Sequence, residues 1–90
     1  MQLEIDLMSY KQINQWRPVI GDMLFKDGVF SRWCGVVEGI NNDNISIRIA
    51  GNPRLLVTGD YKTKVFKVPK IINTMAGSYF VVSKDGIYYV

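Results

Sequence analysis

Two apolar stretches joined by a four-residue polar turn constrain this chain more than anything else in it. Trp33-Cys34-Gly35-Val36-Val37-Glu38-Gly39-Ile40 runs into Asn41-Asn42-Asp43-Asn44, and Ile45-Ser46-Ile47-Arg48-Ile49 follows. In the second stretch an isoleucine recurs at every other position, with Ser46 and Arg48 between. That is the period of a strand with one buried face. In the first stretch Gly39 interrupts the apolar run, which in a strand indicates a bulge or a close backbone approach. Two buried strands joined by a turn are therefore expected at the centre of the fold.

The flanks offer more of the same. Leu3, Ile5 and Leu7 alternate with Gln2, Glu4 and Asp6, predicting a half-buried strand over 2–8. Ser9-Tyr10-Lys11-Gln12 has the spacing of a capping box. A short helix from Tyr10 to Trp16 would put Ile13 and Trp16 on the core, and Arg17-Pro18 would end it. Gly21-Asp22 opens a strand over Met23–Lys26. Asp27-Gly28 and Asp85-Gly86 are hairpin signals. Strands are also expected at Arg54–Thr58, Tyr61–Val68 and on both sides of Asp85-Gly86, whereas Lys70–Gly77 reads as a helical turn or a packed loop. Seven or so short strands and one short N-terminal helix make a mainly β chain, a small barrel or two packed antiparallel sheets.

Ninety residues set the scale at one domain, 1–90, with 48% hydrophobic residues, ordinary for a packed core. No apolar run approaches the ~20 residues that cross a bilayer, and no cationic start precedes an apolar segment. A cytoplasmic protein with no membrane partner is the expectation. Cys34 is the single cysteine and histidine is absent. A zinc site of the usual ligands and a His-based nucleophilic triad are thereby excluded, and neither metal, cofactor nor enzymatic activity is expected. Cys34 itself reads as a small buried hydrophobe.

Charge is uneven. Residues 1–45 hold four cations against six carboxylates, and residues 46–90 hold seven against two. A basic second half points to a polyanion or an acidic protein, or to a lysine-rich sheet edge that resists aggregation.

The segment from Gly21-Asp22 through Gly28 to Gly35-Val36-Val37-Glu38-Gly39-Ile40 and Ile45/Ile47/Ile49 resembles KOW-type, SH3-like barrel domains over residues 21–49. Arg32 stands where that motif usually has a second glycine. The resemblance implies an SH3-like barrel that binds RNA, DNA or a transcription or translation protein through loops at one end.

From the residues themselves, two groups are candidates for binding. Phe30, Arg32 and Trp33 sit together before the central strand, either as an exposed aromatic–cation group or as core anchors. Arg48, Arg54, Tyr61, Lys62, Lys64, Lys67 and Lys70 form the other, with basic residues beside an aromatic as a phosphate backbone would need. Tyr88 and Tyr89 should point to opposite faces, one buried and one exposed, and a final strand with a free edge could dock a second copy or a partner sheet. The first functional expectation is an interaction module with a protein partner, in the style of a phage or mobile-element accessory protein that modulates a host factor. The second is a nucleic-acid-binding module, and the third a structural subunit docking by its C-terminal strand.

Overall fold

The computed structural model of the chain describes residues 10–28, 32–74 and 79–89. Over them, seven strands build one mixed sheet: β1 (Tyr10–Gln12), β2 (Met23–Asp27), β3 (Arg32–Asn41), β4 (Asn44–Ala50), β5 (Lys62–Lys67), β6 (Tyr79–Ser83) and β7 (Gly86–Tyr89). Their spatial order is β1-β7-β6-β2-β3-β4-β5. Every neighbouring pair is antiparallel except β1 and β7, which run parallel with Tyr10 beside Ile87. The protein is thus mainly β with seven strands, gathered into a single sheet. Two short helices, α1 (Pro53–Thr58) and α2 (Val68–Thr74), follow β4 and β5. The expected strand over 2–8 and the Ser9 cap lie outside the described residues.

The central pair is as its pattern requires. Val37 pairs with Ile47, Ile40 with Ile45 and Asn41 with Asn44, and the register shifts between Val37 and Gly39. The bulge foreseen at Gly39 is there. Asn42 takes the tight turn at φ 57, a left-handed conformation that asparagine accepts more readily than most residues.

Side chains that share a face follow from the register. On one face Leu24, Val37, Ile45, Ile47, Val81 and Tyr88 are buried, and Ile13, Trp16 and Ile71 pack onto them to complete the core. Tyr88 is 5% exposed and Tyr89 43%, the split that strand alternation demands. Cys34 is buried on the opposite face, its thiol 3.7 Å from the Ala50 carbonyl oxygen. Burial pushes that thiol's pKa up, which leaves it less reactive.

Gly35 is where the two faces' demands meet. A Cβ there would come within 2.6 Å of Ile47 Cγ2, 3.1 Å of the Arg48 carbonyl oxygen and 3.3 Å of Trp33 Cζ3. Glycine lets β4 and the Trp33 ring close over this position. Gly35→Ala should cost about 1–3 kcal/mol, as overpacking of a filled core does. Chemical denaturation would measure the loss, and a displaced Trp33 indole resonance would locate it.

Asp22 is the buried polar residue on which the lead-in segment is hung, 3% exposed. Its Oδ2 accepts from Trp16 Nε1 and from the Val19 backbone N–H, both at 2.9 Å, and its Oδ1 accepts from the Ser83 hydroxyl at 2.7 Å. One carboxylate therefore ties the turn before β2 to the buried tryptophan and to the end of β6.

Four expectations are corrected. Tyr10–Trp16 is not an α-helix but strand β1 followed by a 3-10 turn at Ile13–Gln15. The three-residue spacing of Ile13 and Trp16 fits a 3-10 turn equally well, and pairing with β7 holds the backbone before it extended. Arg54–Thr58 is not a strand but helix α1. Asn52 caps it by accepting from Leu55 N–H at 3.2 Å, Pro53 occupies the first turn, and Gly59 ends it at φ 95. The last hairpin turns on Lys84-Asp85, with Ser83 opposite Gly86, so Gly86 is already in the strand. Finally, β7 is not a free edge, because β1 pairs along its outer side. A C-terminal strand that docks a second copy or a partner sheet is therefore not available in this arrangement. Lys70–Gly77, left open between helix and loop, is helical as far as Thr74, and 75–78 lie outside the described residues.

Candidate functional site

Antiparallel pairing decides which basic residues share a face. Ile49 pairs with Lys62, Ile47 with Lys64 and Ile45 with Phe66. Trp33 pairs with Lys26. Lys26, Trp33, Ile49, Lys62 and Lys64 thus stand on the core-bearing face, toward the end where the buried cluster gives out. Trp33, Ile49 and Phe66 are half-buried and pack against the core from outside.

A groove of about 710 Å³ opens there. Its floor is Trp33, Ile49, Phe66 and Ile71, and Lys26, Lys64, Lys67 and Lys70 line it. Helix α2 supplies Lys70 and buries Ile71 beneath it, while Lys67 and Val65 reach it from β5. No carboxylate is among its lining residues. A second concavity of about 600 Å³ shares Trp33, Ile49 and Lys64 with it and adds Arg32, Tyr61, Lys62 and Asp60. Together they make one apolar-floored surface with a strongly basic margin.

Three other cations are paired with carboxylates. Arg48 lies on the opposite face, where Val36 and Thr63 are its partners in register. There its Nε is 2.7 Å from Glu38 Oε2, and its guanidinium sits 5.2 Å from the centre of the Tyr61 ring. Arg32 Nε is 2.7 Å from Asp27 Oδ1, both largely exposed. Lys11 Nζ is 3.3 Å from Asp85 and 5.5 Å from the centre of the Tyr88 ring. Lys62, Lys64, Lys67 and Lys70 have no ion-pair partner among the described residues. Such exposed pairs stabilise little, but they neutralise charge, and that sharpens the contrast with the groove.

Of the residues singled out in the sequence, Trp33, Lys64, Lys67 and Lys70 meet in the first concavity, and Arg32, Trp33, Tyr61, Lys62 and Lys64 in the second. Arg48 is on the opposite face by register and lines neither concavity. Arg54 stands on α1 and lines neither concavity. Phe30 lies outside the described residues. Lys26 was missed, since its place beside Trp33 follows from the β2–β3 register and not from local sequence.

The Glu38 carboxylate is held below its ordinary pKa of 4.5, first by the Arg48 hydrogen bond and then by the Thr63 hydroxyl at 3.0 Å. A carboxylate depressed on folding stabilises above its unfolded pKa, and that contribution is lost as pH falls through the folded value. Asp85, held below its ordinary 3.8 by Tyr88 and Lys11, acts with the same sign. Stability should therefore decline below about pH 4.5. In an acid titration followed by circular dichroism, Glu38→Gln should show a shallower decline than the parent chain.

No known family model matches this sequence, and no curated protein or solved structure matches it.

Proposed function

We propose that this protein is a non-enzymatic interaction module that binds an acidic segment of another protein in the lysine-lined groove between β3 and α2. One observation carries the reading: Lys64, Lys67 and Lys70, without ion-pair partners among the described residues, line that groove with no carboxylate beside them. Outside it, Arg32, Arg48 and Lys11 each have a carboxylate partner. The floor favours protein over nucleic acid. Of Trp33, Ile49, Phe66 and Ile71, two are aliphatic and offer no stacking surface to a base, whereas all four suit apolar side chains of a peptide. The absence of histidine supports the non-enzymatic half of the reading. The KOW-like segment over 21–49 agrees with a binding role by analogy of fold.

The test is a titration with a capped decapeptide of alternating glutamate and valine, with single-stranded oligothymidylate in parallel. The two indole N–H resonances give the readout. Trp16 Nε1, buried and bonded to Asp22, should stay fixed while that of Trp33 moves. Saturable binding of the acidic peptide, weakening as salt rises, is the expected result. No binding at low salt would overturn the proposal. Tighter, steeply salt-dependent binding of the oligonucleotide would replace the protein partner with a nucleic acid.

A further inference from the structure

Strand β5 is the last in the sheet: β4 lies on one side, and among the described residues no strand lies on the other. Its residues from Lys62 through Val65 are all exposed, Val65 at 67%. Six residues of edge run about 20 Å, and among the described residues no strand pairs with the outward backbone groups along it.

Lysines on an edge ordinarily prevent sheets from joining. Here they do so selectively. Were a second copy to pair β5 antiparallel against β5 in a register that sets Lys64 opposite Lys62 or Lys64, lysine would confront lysine on the groove face, and like charges directly opposite are unfavourable. An acidic strand meets the reverse situation. Its alternate side chains fall beside Lys62 and Lys64 on the groove face, and those between fall beside Thr63 and Val65 on the other. Charge therefore rejects this chain's own edge and admits one of opposite sign.

Resting on the groove reading above, we infer that the acidic partner binds as an added strand along the free edge of β5, placing carboxylates beside Lys62 and Lys64 and an apolar residue beside Val65. Backbone hydrogen bonds hold the strand, while Lys62 and Lys64 choose its acidic side chains and exposed Val65 on the other face chooses its apolar one. The ligand class is an extended segment in which acidic and apolar residues alternate.

The alternating glutamate–valine decapeptide tests this with amide hydrogen exchange across β5. In an antiparallel or parallel ladder, only every second amide of an edge strand points outward. The expected result is at least a tenfold slowing of exchange at alternate positions within 62–67 on saturation. A peptide of the same composition with its glutamates and valines in two blocks should bind at least tenfold more weakly. If the alternating peptide saturates and moves the Trp33 indole while β5 exchange is unchanged, strand addition is wrong and the groove reading stands. If it does not bind, the groove reading fails and strand addition fails with it. Equal affinity for the two peptides would also overturn strand addition, because blocks cannot match the alternation.

Discussion

Asp22→Ala should unfold this protein at a temperature at least about 12 °C lower than the parent chain, since a loss of some 3 kcal/mol or more translates to that shift in a domain this small. The size of the effect follows from what the side chain leaves behind. Trp16 Nε1, the Val19 N–H and the Ser83 hydroxyl all donate to one carboxylate that is 3% exposed. Hydrogen bonds to a charged group are worth about 1.5–3 kcal/mol each, and a buried donor without a partner costs about 1–3. The three are coupled and do not add, so the loss falls in the lower part of their sum.

Asp22→Asn separates shape from charge. Its amide oxygen can still accept from Trp16 and Val19, and its NH2 can donate to the Ser83 hydroxyl oxygen. The asparagine variant should therefore lose about half of what alanine loses. Thermal denaturation of both variants is the measurement. Equal losses would mean that the negative charge, and not the hydrogen-bond geometry, holds the lead-in segment.

Reversing Lys64, Lys67 and Lys70 together to glutamate should reduce affinity for the alternating acidic peptide by roughly 100-fold, because each reversal replaces an attraction with a repulsion. All three are exposed and lack ion-pair partners among the described residues, so the melting temperature should move little. Reversing Arg48 is the paired control. It sits on the far face against Glu38, and its charge should leave peptide affinity within twofold. Isothermal titration of both variants decides the matter. Matching losses would mean that overall charge, and not the groove, holds the peptide.

The central hairpin could be read from the sequence because Ile45, Ile47 and Ile49 express a period that only a half-buried strand satisfies. Helix α1 could not be read so readily. Leu55-Leu56-Val57-Thr58 is apolar and partly β-branched, a strand-like run. Its determinants stand outside it, in Asn52-Pro53 before and Gly59 after. None of its residues is buried, so no apolar period marks it.

The candidate site was half visible for a related reason. Alternation along β5 already placed Lys62 and Lys64 together. That Arg48 faces away from them depends on register between β4 and β5, a relation between distant residues that local pattern does not encode. Asp22 was visible only as the partner of a turn glycine. Its three donors come from 16, 19 and 83, and nothing near it in sequence foretells the last.

The parallel pairing of β1 with β7 bears on how the chain comes to be folded. Tyr10 lies beside Ile87 and Gln12 beside Tyr89, a closure across most of the chain's length. Ile13 and Trp16, carried directly after β1, pack in the same core as Tyr88 of β7. Loop-closure entropy must be met before these contacts reward it, and such non-local pairings slow folding. The pairing of β1 can form only once β6 and β7 have been made, so the place of Tyr10–Gln12 in the sheet depends on Ile87, Tyr88 and Tyr89, far along the chain.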